Sequence, residues 1–155
     1  WAARKGSAQL IQFLLEEGAD VNASCARGGN RGTTALMEAT AWAKDSHPHI
    51  AAIKSLLGDD GNQSADVNAQ RGDGATAFCL AAWHGNIPAV EVLLDHRADP
   101  TIKFRGKTAL QLARKAMRAA ATREETRTYE VLVAKLVEAG QDWRIQKVLR
   151  GTRAD

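Results

Sequence analysis

Residues 73–99 read DGATAFCLAAWHGNIPAVEVLLDHRAD, and this stretch decides the fold. It opens on a Gly-x-Thr turn, Gly74-Ala75-Thr76. The Thr76 hydroxyl can accept from a free backbone N–H, which marks a helix start. A short Ala-rich segment follows and runs into Gly85. Beyond that turn, Ala89, Val90, Val92, Leu93 and Leu94 recur at helical spacing. The stretch closes on Arg97-Ala98-Asp99. It predicts a pair of helices whose small alanines allow close approach.

The same order recurs on both sides. Thr34-Ala35-Leu36-Met37-Glu38-Ala39 and Thr108-Ala109-Leu110-Gln111-Leu112-Ala113 repeat the Thr76 segment. Ala2-Ala3-Arg4-Lys5-Gly6 repeats Ala81-Ala82-Trp83-His84-Gly85, and further apolar segments end in Leu14-Leu15 and Leu56-Leu57. Gly18-Ala19-Asp20-Val21-Asn22-Ala23 is nearly identical to Ser64-Ala65-Asp66-Val67-Asn68-Ala69. Arg97-Ala98-Asp99-Pro100-Thr101 is a degraded copy, and Gly140-Gln141-Asp142-Trp143 is a candidate fourth. Gly18 stands where a helix C-terminus needs a left-handed residue.

Several motifs agreeing in order and phase resemble the ankyrin-repeat family, whose unit is about 33 residues with a Thr-Pro-Leu-His-x-Ala core. The resemblance covers nearly the whole chain. It implies an all-α solenoid of four stacked helix-turn-helix units with short β-hairpin loops. The family's Pro is replaced by Ala35, Ala77 and Ala109, and its His by Met37, Cys79 and Gln111. Those replacements predict somewhat less rigid turns. The Asp-Val-Asn-Ala turn of this family can be hydroxylated at Asn, which singles out Asn22 and Asn68 as possible sites.

Spacing locates insertions. Thr34 to Thr76 is 42 residues, whereas Thr76 to Thr108 is 32. The surplus falls at 43–49 and 58–64, and a further helix-length insertion at 117–128. The hairpin Ser24–Gly32 is also enlarged. One domain is expected over 1–155: a partial unit at 1–23, units at 24–69, 70–101 and 102–143, and a tail or partial cap at 144–155. The first unit opens inside its first helix, which predicts upstream sequence. Insertions in a solenoid map to loops that often decorate a working face.

The chain has 155 residues, 45% hydrophobic and 25% charged, an ordinary balance for one globular domain. Aromatics at 5% argue against a β-sandwich. Two cysteines, Cys25 and Cys79, form neither a disulfide framework nor a zinc spacing. Reduced thiols point to a cytoplasmic or nuclear protein. No apolar run approaches the roughly 18 residues of a membrane helix. A net charge of +3 is too weak to argue for nucleic acid by itself.

No catalytic constellation, cofactor motif or metal site is expected. His47-Pro48-His49, with Asp45 nearby, falls in an inserted loop and offers too few ligands for zinc. Gly106-Lys107-Thr108 resembles the end of a phosphate loop, but position 101 is Thr instead of the required Gly. Cys79 falls mid-helix, where a buried structural thiol is expected rather than a nucleophile.

The resemblance places partners along the concave groove and the hairpin tips. The variable positions after the paired alanines are Arg4 and Lys5, Ala41 and Trp42, Trp83 and His84, and Lys115 and Ala116. Trp42, Trp83 and a tip residue, Phe104, are candidate anchors, since exposed aromatics serve as hot spots. The tips carry Arg27, Arg31, Arg71, Lys103, Arg105 and Lys107 against Asp73 alone. An acidic segment of another protein is the partner this charge favours. Three functions stay open: a non-catalytic adaptor or scaffold, a regulatory ankyrin domain of a larger enzyme, and a weak nucleic-acid binder acting through the tips.

Overall fold

The computed structural model describes residues 1–26, 31–42, 47–59, 61 and 63–151. Arg27, Asp45, part of the 43–49 and 58–64 insertions and the last four residues of the expected tail lie outside them. Eight helices are found among the described residues, in pairs. The first of each pair are α1 (Ala2–Lys5), α3 (Ala35–Trp42), α5 (Ala77–His84) and α7 (Ala109–Ala119). The second are α2 (Ala8–Glu16), α4 (His47–Leu56), α6 (Ile87–Asp95) and α8 (Arg123–Gly151). First helices pack on first helices and second on second, which makes a two-layer, all-α solenoid.

The starts form as the threonines direct. Thr34, Thr76 and Thr108 each accept from the backbone N–H three residues on, at Met37, Cys79 and Gln111. Gln111 returns a bond to the Thr108 N–H and completes a capping box. Ser7 and Asn86 cap α2 and α6 in the same way. A two-stranded antiparallel ribbon, β1 (Lys103–Phe104) and β2 (Lys107–Thr108), leads into α7. Arg105 and Gly106 turn it with φ of 50° and 74°, as a two-residue hairpin with two left-handed positions requires.

The core lies between the layers and between the units. Leu36, Met37, Ile53, Phe78, Leu80, Val90, Leu93, Leu112, Leu132 and Leu136 are all buried. The first helices also bury alanines: Ala39, Ala81, Ala82 and Ala113 are fully buried. Cys79 is buried among them, its sulfur 3.6 Å from the Ile102 carbonyl, and burial pushes its thiol pKa up.

A second set of bonds ties unit to unit. Asp20 and Asp66 fold their own turns, each accepting from the N–H two residues on. The amide oxygen of Asn22 then accepts from the Asp66 N–H at 2.7 Å, and that of Asn68 from the Asp99 N–H at 2.8 Å. Both asparagines singled out for hydroxylation thus have a structural use in the native state.

Two expectations give way. The stretch His47-Pro48-His49 is the start of α4 rather than a loop, consistent with the tolerance of a helix's first turn for proline. The turn expected at Gly140–Trp143 does not form, and α8 continues through it to Gly151, past the boundary expected at 143. The equivalent asparagine of the preceding unit is Thr101, whose hydroxyl bonds its own turn at Asp99. It supplies no carboxamide to tie a further turn to this unit.

Asn68→Ala is expected to lower unfolding free energy by about 1–2 kcal/mol, because it strands the half-buried Asp99 N–H. Asn22→Ala, at an exposed turn, should cost less. Urea denaturation followed by circular dichroism measures both.

Candidate functional site

The variable positions of α3, α5 and α7 lie on one side of the alanine stack, beside the hairpins. There they enclose a cleft of about 860 Å³. Trp42, Trp83, His84 and Lys115 come to it from the helices, and Arg71, Phe104, Arg105 and Lys107 from the hairpins. Trp42 is 51% exposed and Trp83 37%, so neither indole is taken into the core.

Neighbouring units hold these positions in place. Gly85 ends α5 at φ 72°, and a Cβ there would stand 3.2 Å from the Tyr129 ring. Tyr129 on α8 donates its hydroxyl to the Trp83 carbonyl at 2.9 Å. The first unit repeats the device: His49 packs against Gly6, and its Nε2 donates to the Arg4 carbonyl at 3.1 Å. The backbone under Arg4 and under Trp83 is therefore fixed by a side chain of the following unit.

Cations cover the aromatic faces. The Arg4 guanidinium lies 4.3 Å from the Trp42 ring centroid, and the Lys115 ammonium 5.6 Å from that of Trp83. Arg71 and Arg105 flank Phe104 at 6.0 and 5.1 Å. Contacts of this kind contribute roughly 0.5–1 kcal/mol each at exposed sites.

The hairpin arginines differ in availability. Arg71 donates Nε and Nη2 to the two Asp73 oxygens at 2.9 and 2.7 Å, a bidentate pair. Asp73 Oδ1 also accepts from the Ala75 N–H, and Arg105 Nη2 stands 3.8 Å from Asp73 Oδ2. The Arg71 hydrogen bond holds the Asp73 carboxyl below its ordinary pKa, and Asp73 raises that of Arg71. Arg71 and Asp73 are thus largely committed to the hairpin.

Of the residues expected at a partner surface, Trp42, Arg71, Trp83, His84, Phe104, Arg105, Lys107 and Lys115 line this cleft, with Ala41 beside them. Arg4 adjoins it through Trp42, and Asp73 through Arg71. Lys5 and Arg31 are exposed outside the lining, although the Arg31 carbonyl accepts from the Gly72 N–H and joins two hairpins. Phe104 departs from an exposed anchor: at 8% exposure it fills the hairpin under its two arginines. Its ring is the apolar surface on which the Arg71 and Arg105 guanidiniums lie.

Sequence reasoning missed Glu38 and Leu80, which also line the cleft, as does Thr33 from a hairpin tip. Glu38 and Leu80 stand four residues before Trp42 and His84, on the same helix face, a signal that was available. Thr33 Oγ1 is buried and without a hydrogen-bond partner among the described residues. No group of three or more His, Cys, Asp or Glu side chains able to hold a metal occurs among the described residues. No described helix is long and apolar enough to cross a membrane.

Two family profiles match this chain: "Ankyrin repeats (many copies)" over residues 60–113 and "Ankyrin repeat" over residues 1–26. The chain is 33% identical to an ankyrin repeat and SAM domain-containing protein of Danio rerio, over 72% of its own length and 17% of that protein's. It is 34% identical to an ankyrin repeat and KH domain-containing protein of Caenorhabditis briggsae, over 64% of its length and 4% of that protein's. A palmitoyltransferase of Lachancea kluyveri is 31% identical over 63% of this chain and 12% of its own. The chain therefore spans less than a fifth of each of these relatives.

The Asp73 pair predicts an acid limb. A carboxylate whose native pKa is depressed adds stability that is fully present above its ordinary value near roughly pH 4 and is lost as pH falls through the native value. Asp73→Asn should flatten the stability profile below about pH 4 and shift it little near neutrality beyond the loss of the pair itself. Urea midpoints measured from pH 2 to 7 test this, and an unchanged acid limb counts against it.

Proposed function

This chain belongs to the ankyrin-repeat family, and from that premise we propose that it is a non-catalytic adaptor or scaffold segment that takes up another protein in the Trp42–Trp83 cleft. Ankyrin repeats are generally protein-interaction modules. The observation that carries the reading is the meeting in one cleft of two exposed indoles with Arg71, Arg105, Lys107 and Lys115. Exposed Trp offers a large desolvation gain on binding, and hot spots are enriched in Trp and Arg. The surrounding charge draws an acidic segment and sets its approach. Glu38 is the lining acid that opposes it, which favours a partner whose charge is placed rather than merely abundant. The proposed site comprises Arg4, Lys5, Arg31, Trp42, Arg71, Asp73, Trp83, His84, Phe104, Arg105, Lys107 and Lys115, with Lys5 and Arg31 at its periphery. The compartment proposed is cytoplasmic or nuclear.

A second reading makes the chain the ankyrin segment of a larger enzyme. The similarity to a palmitoyltransferase supports it, and the same cleft would then serve a regulatory contact.

Affinity capture with the wild type and with the Trp42→Ala/Trp83→Ala variant tests the cleft. Loss of one hot-spot indole costs about 2 kcal/mol, roughly thirtyfold in Kd. Partners should therefore drop out with the variant while circular dichroism is unchanged. An identical set of partners would place binding on another face. Binding to random duplex DNA that falls steeply with salt would favour nucleic acid instead.

A further inference from the structure

We propose that the cleft reads an extended acidic–apolar–acidic segment of its partner, with two carboxylates about six residues apart and apolar side chains between them. This rests on the reading of the cleft as the partner-binding face.

Each unit contributes one side chain to a row, from one or other of its two variable positions: Arg4, Trp42, Trp83 and Lys115. The row is contiguous. Arg4 touches Trp42, the two indoles line one cleft, and Lys115 touches Trp83. Its ends are cationic and its middle is aromatic. Arg4 and Lys115 are exposed, and among the described residues neither is paired with a carboxylate. Arg71 is different, since Asp73 already occupies its fork. Reading of ligand carboxylates therefore falls to the ends of the row, with the hairpin's Lys107 as outer rim.

Length follows from repeat geometry. Packed helices stand about 8–10 Å apart, so one such interval between the indoles, with the 4.3 and 5.6 Å cation–ring contacts at its ends, makes a row of roughly 20 Å from guanidinium to ammonium. An extended chain rises about 3.3 Å per residue and covers that with about six residues. A helix rises only about 1.5 Å per residue and would need roughly 13 residues over the same span, so carboxylates about six positions apart are the spacing of an extended ligand. Cations over the indoles also tie the two features together: a carboxylate that engages Arg4 or Lys115 sits beside an indole edge, where the adjacent apolar side chain of the ligand is desolvated.

The test is fluorescence anisotropy of labelled synthetic peptides against the 155-residue chain. The patterned peptide carries two Asp six positions apart, two Leu between them, and Ser elsewhere. The control has the same composition with the two Asp adjacent. The patterned peptide should bind about tenfold tighter or better. Lys115→Glu should weaken it about tenfold, and replacing one Asp of the peptide by Lys should restore binding to that variant. The rescue also shows that the variant is folded. Equal binding of patterned and control peptides, both weakened by Trp42→Ala/Trp83→Ala, would overturn the spacing and leave the cleft standing. Failure of the patterned peptide to bind, or binding indifferent to the two indoles, would overturn the spacing and the cleft reading together.

Discussion

Alanine in the first helices is the constraint on which the rest depends. Ala39, Ala81, Ala82 and Ala113 are fully buried, and α3, α5 and α7 pack directly on one another. A single helix pair of this size cannot bury its apolar faces alone, and stacking completes its core. Close stacking also has a functional consequence. It brings the variable positions of successive units within one side chain's reach, which is why Arg4 lies over Trp42 and Lys115 over Trp83.

Polar bonds then regulate the stack. Apolar contact alone is non-directional and would tolerate sliding. The Asn22 and Asn68 amides meet backbone N–H groups of the next turn, while His49 and Tyr129 meet backbone carbonyls under the groove. Each of these bonds is made at one register only. The replacement of asparagine by Thr101 ends the series, and α8 runs on as one long helix where a repeating array would have turned.

Electrostatics in the cleft is less uniform than a count of basic residues implies. Asp73 takes the best-formed fork, on Arg71, and reaches toward Arg105. Glu38 enters from the helix side and acts on Arg71 as well. Arg71 and Arg105 are thereby partly neutralised by the protein's own acids, within a unit and across units, and the outer cations remain for a partner. A surface arranged in this way favours placement of charge over its amount.

Much of the fold was legible in short-range chemistry. Thr34, Thr76 and Thr108 cap helices because a hydroxyl three residues before a free N–H does so wherever it occurs. Gly6 and Gly85 end helices, the alanines are buried and Trp83 stays exposed, as the repeat phase implied, whereas the exposure of Trp42 was settled only by the packing around it. What the sequence by itself determined is the set of local elements and the faces they present, since both follow from bonds within a few residues and from a helical period. Tertiary structure alone decided the rest. Phe104 is buried under Arg71 and Arg105, which come from two different hairpins. His49 becomes an inter-repeat donor, Asp73 becomes Arg71's partner, and α8 passes through Gly140, because in each case the deciding atoms, or their absence, lie outside the local motif.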